Sequence, residues 1–147
     1  MSGIDECLLE AMALPGARGA ALVEWISGLA LGRIGEAPDG DHETMAAQIA
    51  EFARHAIEHP VFAGAAEPGS GTHRGPGRPG DSPPPGAKGP AVQDVIVTAA
   101  SGYHLLRFLD LPYEGGVFLH LWLDRDIANL ALAMIRLRDL AERLVLE

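Results

Sequence analysis

Apolar side chains recur along this chain in two rhythms, one of about 3.6 residues and one of two, and these divide it into helices and strands. Ile4, Leu8 and Met12 are spaced as one face of a short helix. Ser2-Gly-Ile-Asp5 reads as a capping box in which aspartate replaces the usual glutamate or glutamine. Pro15-Gly16 stops that helix, since proline continues a helix poorly and glycine suits its exit. GAALVEW (19–25) and LALGRIG (29–35) read as two strands joined by a turn at Ile26-Ser27-Gly28, which makes a hairpin. Asp39 or Asp41 can cap a second helix over 43–59, which ends before Pro60. QDVIVTA (93–99), YHLLRFL (103–109) and VFLHLWL (117–123) are predicted strands. The last carries Val117, Leu119, Leu121 and Leu123 on one face and Phe118, His120 and Trp122 on the other. Both faces are mostly apolar, so a central strand covered on both sides is predicted. A final helix is predicted from Asp124 or Asp126, with Ile127, Leu130, Met134, Leu137, Ala141, Leu144 and Val145 along one stripe. The order is helix-strand-strand-helix-strand-strand-strand-helix. Hairpin connections imply an antiparallel sheet with helices against it, an α+β fold.

The second helix carries two adjacent apolar groups. Met45, Ile49, Phe52 and Ala56 form a bulky stripe suited to sit on a sheet. Ala46, Ala50, Ala53 and Ile57 form a small-residue flank that lets another helix approach, which suggests contact between two copies of the chain. Gln48, Glu51, Arg54 and His55 lie on the polar arc.

Residues 64–91 break the pattern, with 15 glycines or prolines in 28 residues and no large aliphatic or aromatic side chain. Such a segment buries too little apolar surface to offset its ordering entropy, so it reads as a solvated, flexible insertion. The Pro83-Pro84-Pro85 run belongs to that spacer. The chain as a whole, residues 1–147, is the size of one domain.

Charge and composition narrow the function. The net charge is −9, and ten acidic residues before position 60 face only Arg18, Arg33 and Arg54. A nucleic-acid binder needs a basic face, and none is present. The acidity keeps the chain soluble and can attract a basic partner. One cysteine, Cys7, forms no internal disulfide and fits a reducing, cytoplasmic compartment. The acidic start is unlike a signal peptide, and no apolar run approaches the length of a membrane span, so no membrane insertion is expected.

Candidate chemistry is sparse. The glycine-spaced stretch LPGARGAALVEWISGLALG (14–32) invites a phosphate-loop reading. A dinucleotide fingerprint, however, needs a strand before the glycines and a helix after them, and here the order is reversed. A P-loop also needs Gly-Lys-Ser/Thr, and the only lysine is Lys88. His55 and His59 have a spacing that can hold a metal but lack an evident third ligand. His120 reads as a hydrogen-bonded core or interface histidine, with a titrating switch as the lesser reading. His104 shares a strand face with Leu106 and Phe108. Cys7 reads as a small buried thiol. No catalytic, cofactor or metal constellation assembles, and no enzyme is expected.

The arrangement resembles the Roadblock/dynein light chain family in its bacterial form. The resemblance rests on LPGARGAALVEWISGLALG, AAQIAEFA, VIVTAASGYHLL and FLHLWLDRDIANLALAMIRL, which span nearly everything outside residues 60–91. It implies a Roadblock/profilin-like five-stranded antiparallel sheet, with the first and last helices on one face and the middle helix on the other. It also implies homodimers that pair middle helices and sheet edges, and a non-enzymatic role as regulator, activator or scaffold of a small Ras-like GTPase. The third strand, which carries Ile96, lies near the dimer seam in that family. The expected dimer interface is therefore Ala46, Ala50, Ala53, Ile57 and Ile96, and the expected partner surface is Gln48, Glu51, Arg54 and His55. Two other functions fit the pattern: a module assembling a signalling complex without effect on GTP turnover, and a small-ligand sensor.

Overall fold

The computed structural model describes residues 2–62, 92–110 and 116–146. The Gly/Pro-rich insertion expected at 64–91 lies outside them, as does most of the loop that precedes the fifth strand. Helix α1 spans Ser2–Met12, followed by strands β1 (Ala17–Glu24) and β2 (Leu29–Gly35) and helix α2 (His42–Glu58). Strands β3 (Asp94–Ala99), β4 (Gly102–Phe108) and β5 (Val117–Leu123) follow, and helix α3 (Leu130–Leu146) closes the order. All five strands form one antiparallel sheet in the order β2-β1-β5-β4-β3. The first hairpin and the last three strands thus meet through β1 and β5, and the chain crosses from one sheet edge to the other by way of α2.

VFLHLWL is the central strand, buried at every position as its two-sided apolar pattern requires. Leu119, Leu121 and Leu123 pack with Leu8 and Ala11 of α1 and with Ala133, Leu137 and Leu140 of α3. Phe118 packs on the opposite face with Val23, Leu106, Phe108 and the alanines of α2. The sheet therefore separates two apolar layers, with α1 and α3 on one side and α2 on the other.

Glycine has a definite task at two points. Gly16, at φ +80, leaves α1 in a conformation that side chains resist, and a Cβ there would stand 2.9 Å from the Ala128 nitrogen. Its carbonyl also accepts from Asp124 N at 2.7 Å. Gly28, at φ +78, turns the hairpin beneath α2. The stretch that resembled a phosphate loop is a helix exit and a hairpin turn.

Two local expectations are corrected. Helix α3 starts at Leu130 rather than at Asp124 or Asp126. Asp124 is committed elsewhere: its carbonyl accepts from Ala128 N at 2.9 Å, and its carboxylate accepts from Asp126 N at 2.9 Å, forming a turn. Asn129 then caps the helix, accepting from Leu132 N at 3.0 Å. Ile127 consequently lies exposed in that turn and not on the buried stripe. The second correction concerns which side of α2 meets the sheet.

Candidate interaction surface

Asp41 begins α2 as expected. Its carboxylate accepts from Glu43 N at 3.1 Å and from the Thr44 hydroxyl at 2.6 Å, and these bonds hold it below the ordinary carboxylate range. The helix lies on the sheet through its alanines. Ala46, Ala50 and Ala53 are fully buried against Val23, Phe108 and Phe118, together with Met45. The sheet supplies the bulk on this face, so the helix contributes small side chains and approaches closely. The alanine flank expected to meet a second copy is therefore used within the protomer. Phe52, expected to sit on the sheet, instead faces outward with 43% of its surface exposed.

The expected dimer residues are also divided by the sheet. Ile57 is half-buried on the α2 side. Ile96 is 40% exposed on edge strand β3, but it pairs with Leu105, which belongs to the layer beneath α1 and α3. Ile57 and Ile96 thus point to opposite faces. Of the expected partner surface, Gln48, Glu51 and His55 are exposed along α2. Arg54 is engaged elsewhere, donating from Nη1 to the Trp25 carbonyl at 2.7 Å and anchoring α2 to the end of β1.

The α2 face has a concave feature that the sequence does not announce. Phe52, Ala56, Phe62, Val92 and Val95 line an apolar groove of about 650 Å³ where the end of α2 overhangs β3, with His55, His59 and Asp94 at its rim. Beside the groove, β3 pairs, among the described residues, only with β4, so none of them covers its outer edge of backbone groups. Asp94 itself is held by Arg107 of β4 at 2.7 Å.

Under the other half of that face lies a polar layer. His120, 2% exposed on the central strand, has Nε2 at 3.0 Å from Nδ1 of His104 on β4. The two rings lie nearly parallel, and His104 is also nearly parallel to Trp122. The Trp122 indole donates to the Ser101 carbonyl at 3.0 Å, and the Arg18 guanidinium stacks 4.0 Å from its ring centre. Arg18 in turn meets Glu36 at 2.9 Å. His42, at the start of α2, lies 2.9 Å from the Gly35 carbonyl through Nε2, which must therefore carry the hydrogen. Burial, followed by the neighbouring His104 and His42, lowers the His120 pKa to about 3. Burial lowers that of His104 as well. Both rings are neutral near pH 7, so one donates and the other accepts. The layer works as a fixed hydrogen-bonded core element, in line with the first sequence reading of His120.

The remaining candidates take structural positions. Cys7 is buried beneath α3, and Ser27 bonds to Glu24 within the hairpin turn. His55 and His59 both face the groove rim. Among the described residues, no three histidine, cysteine, aspartate or glutamate side chains converge as a metal cage, and no helix is long and apolar enough to cross a membrane.

No family model and no curated protein sequence matches the chain. Solved structures do match its shape. The gliding protein MglB from Thermus thermophilus superposes with a TM-score of 0.63 at 19% identity, over 98% of this chain and 87% of that one. MglB from Myxococcus xanthus gives a TM-score of 0.68 at 13% identity, over 98% and 86%. An MglB with a tetrameric arrangement gives 0.59 at 20% identity, over 99% and 89%. Identity this low speaks for the fold alone. Three helices on an antiparallel sheet of five strands, in this order and over nearly the whole of each chain, give this protein the Roadblock-like fold of the bacterial MglB structures.

Proposed function

We propose that the chain is a non-catalytic, dimeric regulator or adaptor of a small Ras-like GTPase. The observation that carries this reading is the shared fold with MglB, one example of which is a gliding protein and another of which forms a tetrameric arrangement. The sequence resemblance to bacterial Roadblock proteins supplies the GTPase as the class of partner. A cytoplasmic setting suits both such a partner and a chain with a single cysteine.

The dimer belongs on the outward side of α2 and at the β3 edge. Phe52 and the apolar groove beside it offer surface that a second copy would cover, and Ile57 is half-buried on the same side of the sheet. Ile96 would join through the strand edge. Gln48 and Glu51 then remain as the surface offered to the GTPase, with His55 at the rim of the groove between the two surfaces. Light scattering tests the dimer: we expect a dimer in the micromolar range, and a Phe52→Arg variant that keeps its circular dichroism but shifts toward monomer. A wild-type protein that stays monomeric there overturns the dimer. Scaffolding without an effect on GTP turnover would appear as a stable complex with an unchanged hydrolysis rate.

A further inference from the structure

The second sheet edge is β2, which is followed at once in the chain by the acidic stretch Glu36, Asp39, Asp41 and Glu43. This edge lies on the opposite side of the sheet from β3 and the α2 groove. Among the described residues β2 pairs only with β1, which leaves alternate backbone N–H and C=O groups pointing outward, the Gly35 carbonyl being taken by His42. Its first half, Leu29-Ala30-Leu31-Gly32, has no charge. Leu29 is 61% exposed and Leu31 49%, and Ile26 of the adjoining turn is 57% exposed. Protein edges are commonly protected by charge, proline, bulges or a covering element. The charge on β2 is Arg33, which faces Glu43 at 3.7 Å. The pairs Leu22–Gly32 and Val23–Ala30 skip Leu31, a bulge that divides the edge into two short runs. An added strand must therefore be short.

The surroundings specify its charge. α1 closes over Gly32 with Ile4 and Leu8 and exposes Asp5 beside them. α2 brings exposed Glu43 to the same strand. Arg18 is engaged with Glu36 and Trp122, and Arg33 with Glu43. Asp5, Glu36, Asp39, Asp41 and Glu43 against these two arginines leave this end negative. A second copy pairing β2 to β2 would bring two such ends together, which like-charge repulsion opposes. A segment bearing lysine or arginine is attracted instead.

We propose that the β2 edge is a strand-addition site for a short, basic, extended segment of another protein. The segment pairs with the outward backbone groups of Leu29–Arg33, short of the Gly35 carbonyl that His42 holds, lays apolar side chains on Leu29 and Leu31, and sets its basic residues against the acids of α1 and α2. Backbone pairing supplies the adhesion, and charge selects the partner. This site needs neither a GTPase nor the dimer, so its test is separate from theirs.

The test uses a synthetic peptide of alternating valine and threonine with lysines at both ends, and a counterpart with glutamates in their place. The intact protein is followed by residue-resolved amide hydrogen exchange. The lysine peptide should slow exchange at outward-facing amides of β2 and leave β3 unchanged. Binding should weaken as salt is raised, and the glutamate peptide should leave exchange unaltered. A Leu29→Lys, Leu31→Lys variant changes only exposed side chains; it should keep its circular dichroism and bind the lysine peptide at least about tenfold more weakly. The proposal is overturned by protection at β3 instead, by equal binding of the glutamate peptide, by unchanged affinity in the variant, or by no protection with either peptide. Protection of β2 that grows with protein concentration alone would identify a second copy as the occupant and equally overturn it.

Discussion

His120 makes the stability of this fold depend on pH in a direction and amount that can be worked out. Its imidazole sits on the central strand between Phe118 and Trp122, faced by His104 from β4 and by His42 from α2. With a folded pKa of about 3 against 6.5 for an ordinary histidine, the folded state holds the ring neutral where the unfolded state already takes up a proton. Stability is then complete above pH 6.5 and is lost as pH falls through the window toward 3. Between pH 8 and pH 5 this residue alone costs about 2 kcal/mol, and the full window about 5 kcal/mol. Against a total stability of about 5–15 kcal/mol for a domain, that is a large share. Urea unfolding at fixed protein concentration, repeated from pH 8 to pH 5, measures it. The comparison is with His120→Leu, which removes the proton site and leaves the half-exposed His104 within reach of water. The variant should lose about 2 kcal/mol less than the wild type over that range, whatever its absolute stability. Equal losses in the two proteins would refute the burial argument.

Three further outcomes follow from the packing. Ala53→Leu should destabilise the fold by about 1–3 kcal/mol in urea unfolding, because the site is already filled by α2 against Val23 and Phe118; a neutral result would return the alanine flank to the surface. Asn129→Ala should cost about 1 kcal/mol, read from a thermal melt, through loss of the α3 cap. Asp126→Ala, in the turn before that helix, should cost clearly less in the same melt, and the reverse ranking would place the helix start at Asp126.

Much of this architecture is legible in the sequence where one pattern has one solution. VFLHLWL is apolar on both faces, and only a central, doubly covered strand satisfies that. Asp41 stands just before an amphipathic run, and its carboxylate does cap α2. The orientation of α2 is not legible, because its two apolar stripes adjoin and periodicity does not rank them. What decides is the bulk already on the sheet face, Val23, Phe108 and Phe118, and those residues are distant in sequence. The α3 start misleads for a related reason. Asp124 looks like a helix cap, but its backbone is claimed by Gly16, far along the chain. Strand alternation puts His104 and His120 on sheet faces, yet only the β4–β5 register makes them neighbours. The apolar groove beside Phe52 depends on the same kind of long-range placement.

The central claim is that this Roadblock-like domain acts on a small Ras-like GTPase by binding. The most direct measurement follows GTP hydrolysis and nucleotide release by each small Ras-like GTPase encoded in the same genome, with and without the purified protein, alongside light scattering of the mixture. The account expects one of these GTPases to form a complex containing two copies of this chain, with a changed rate of hydrolysis or release. No complex and no change in rate with any of them would contradict it.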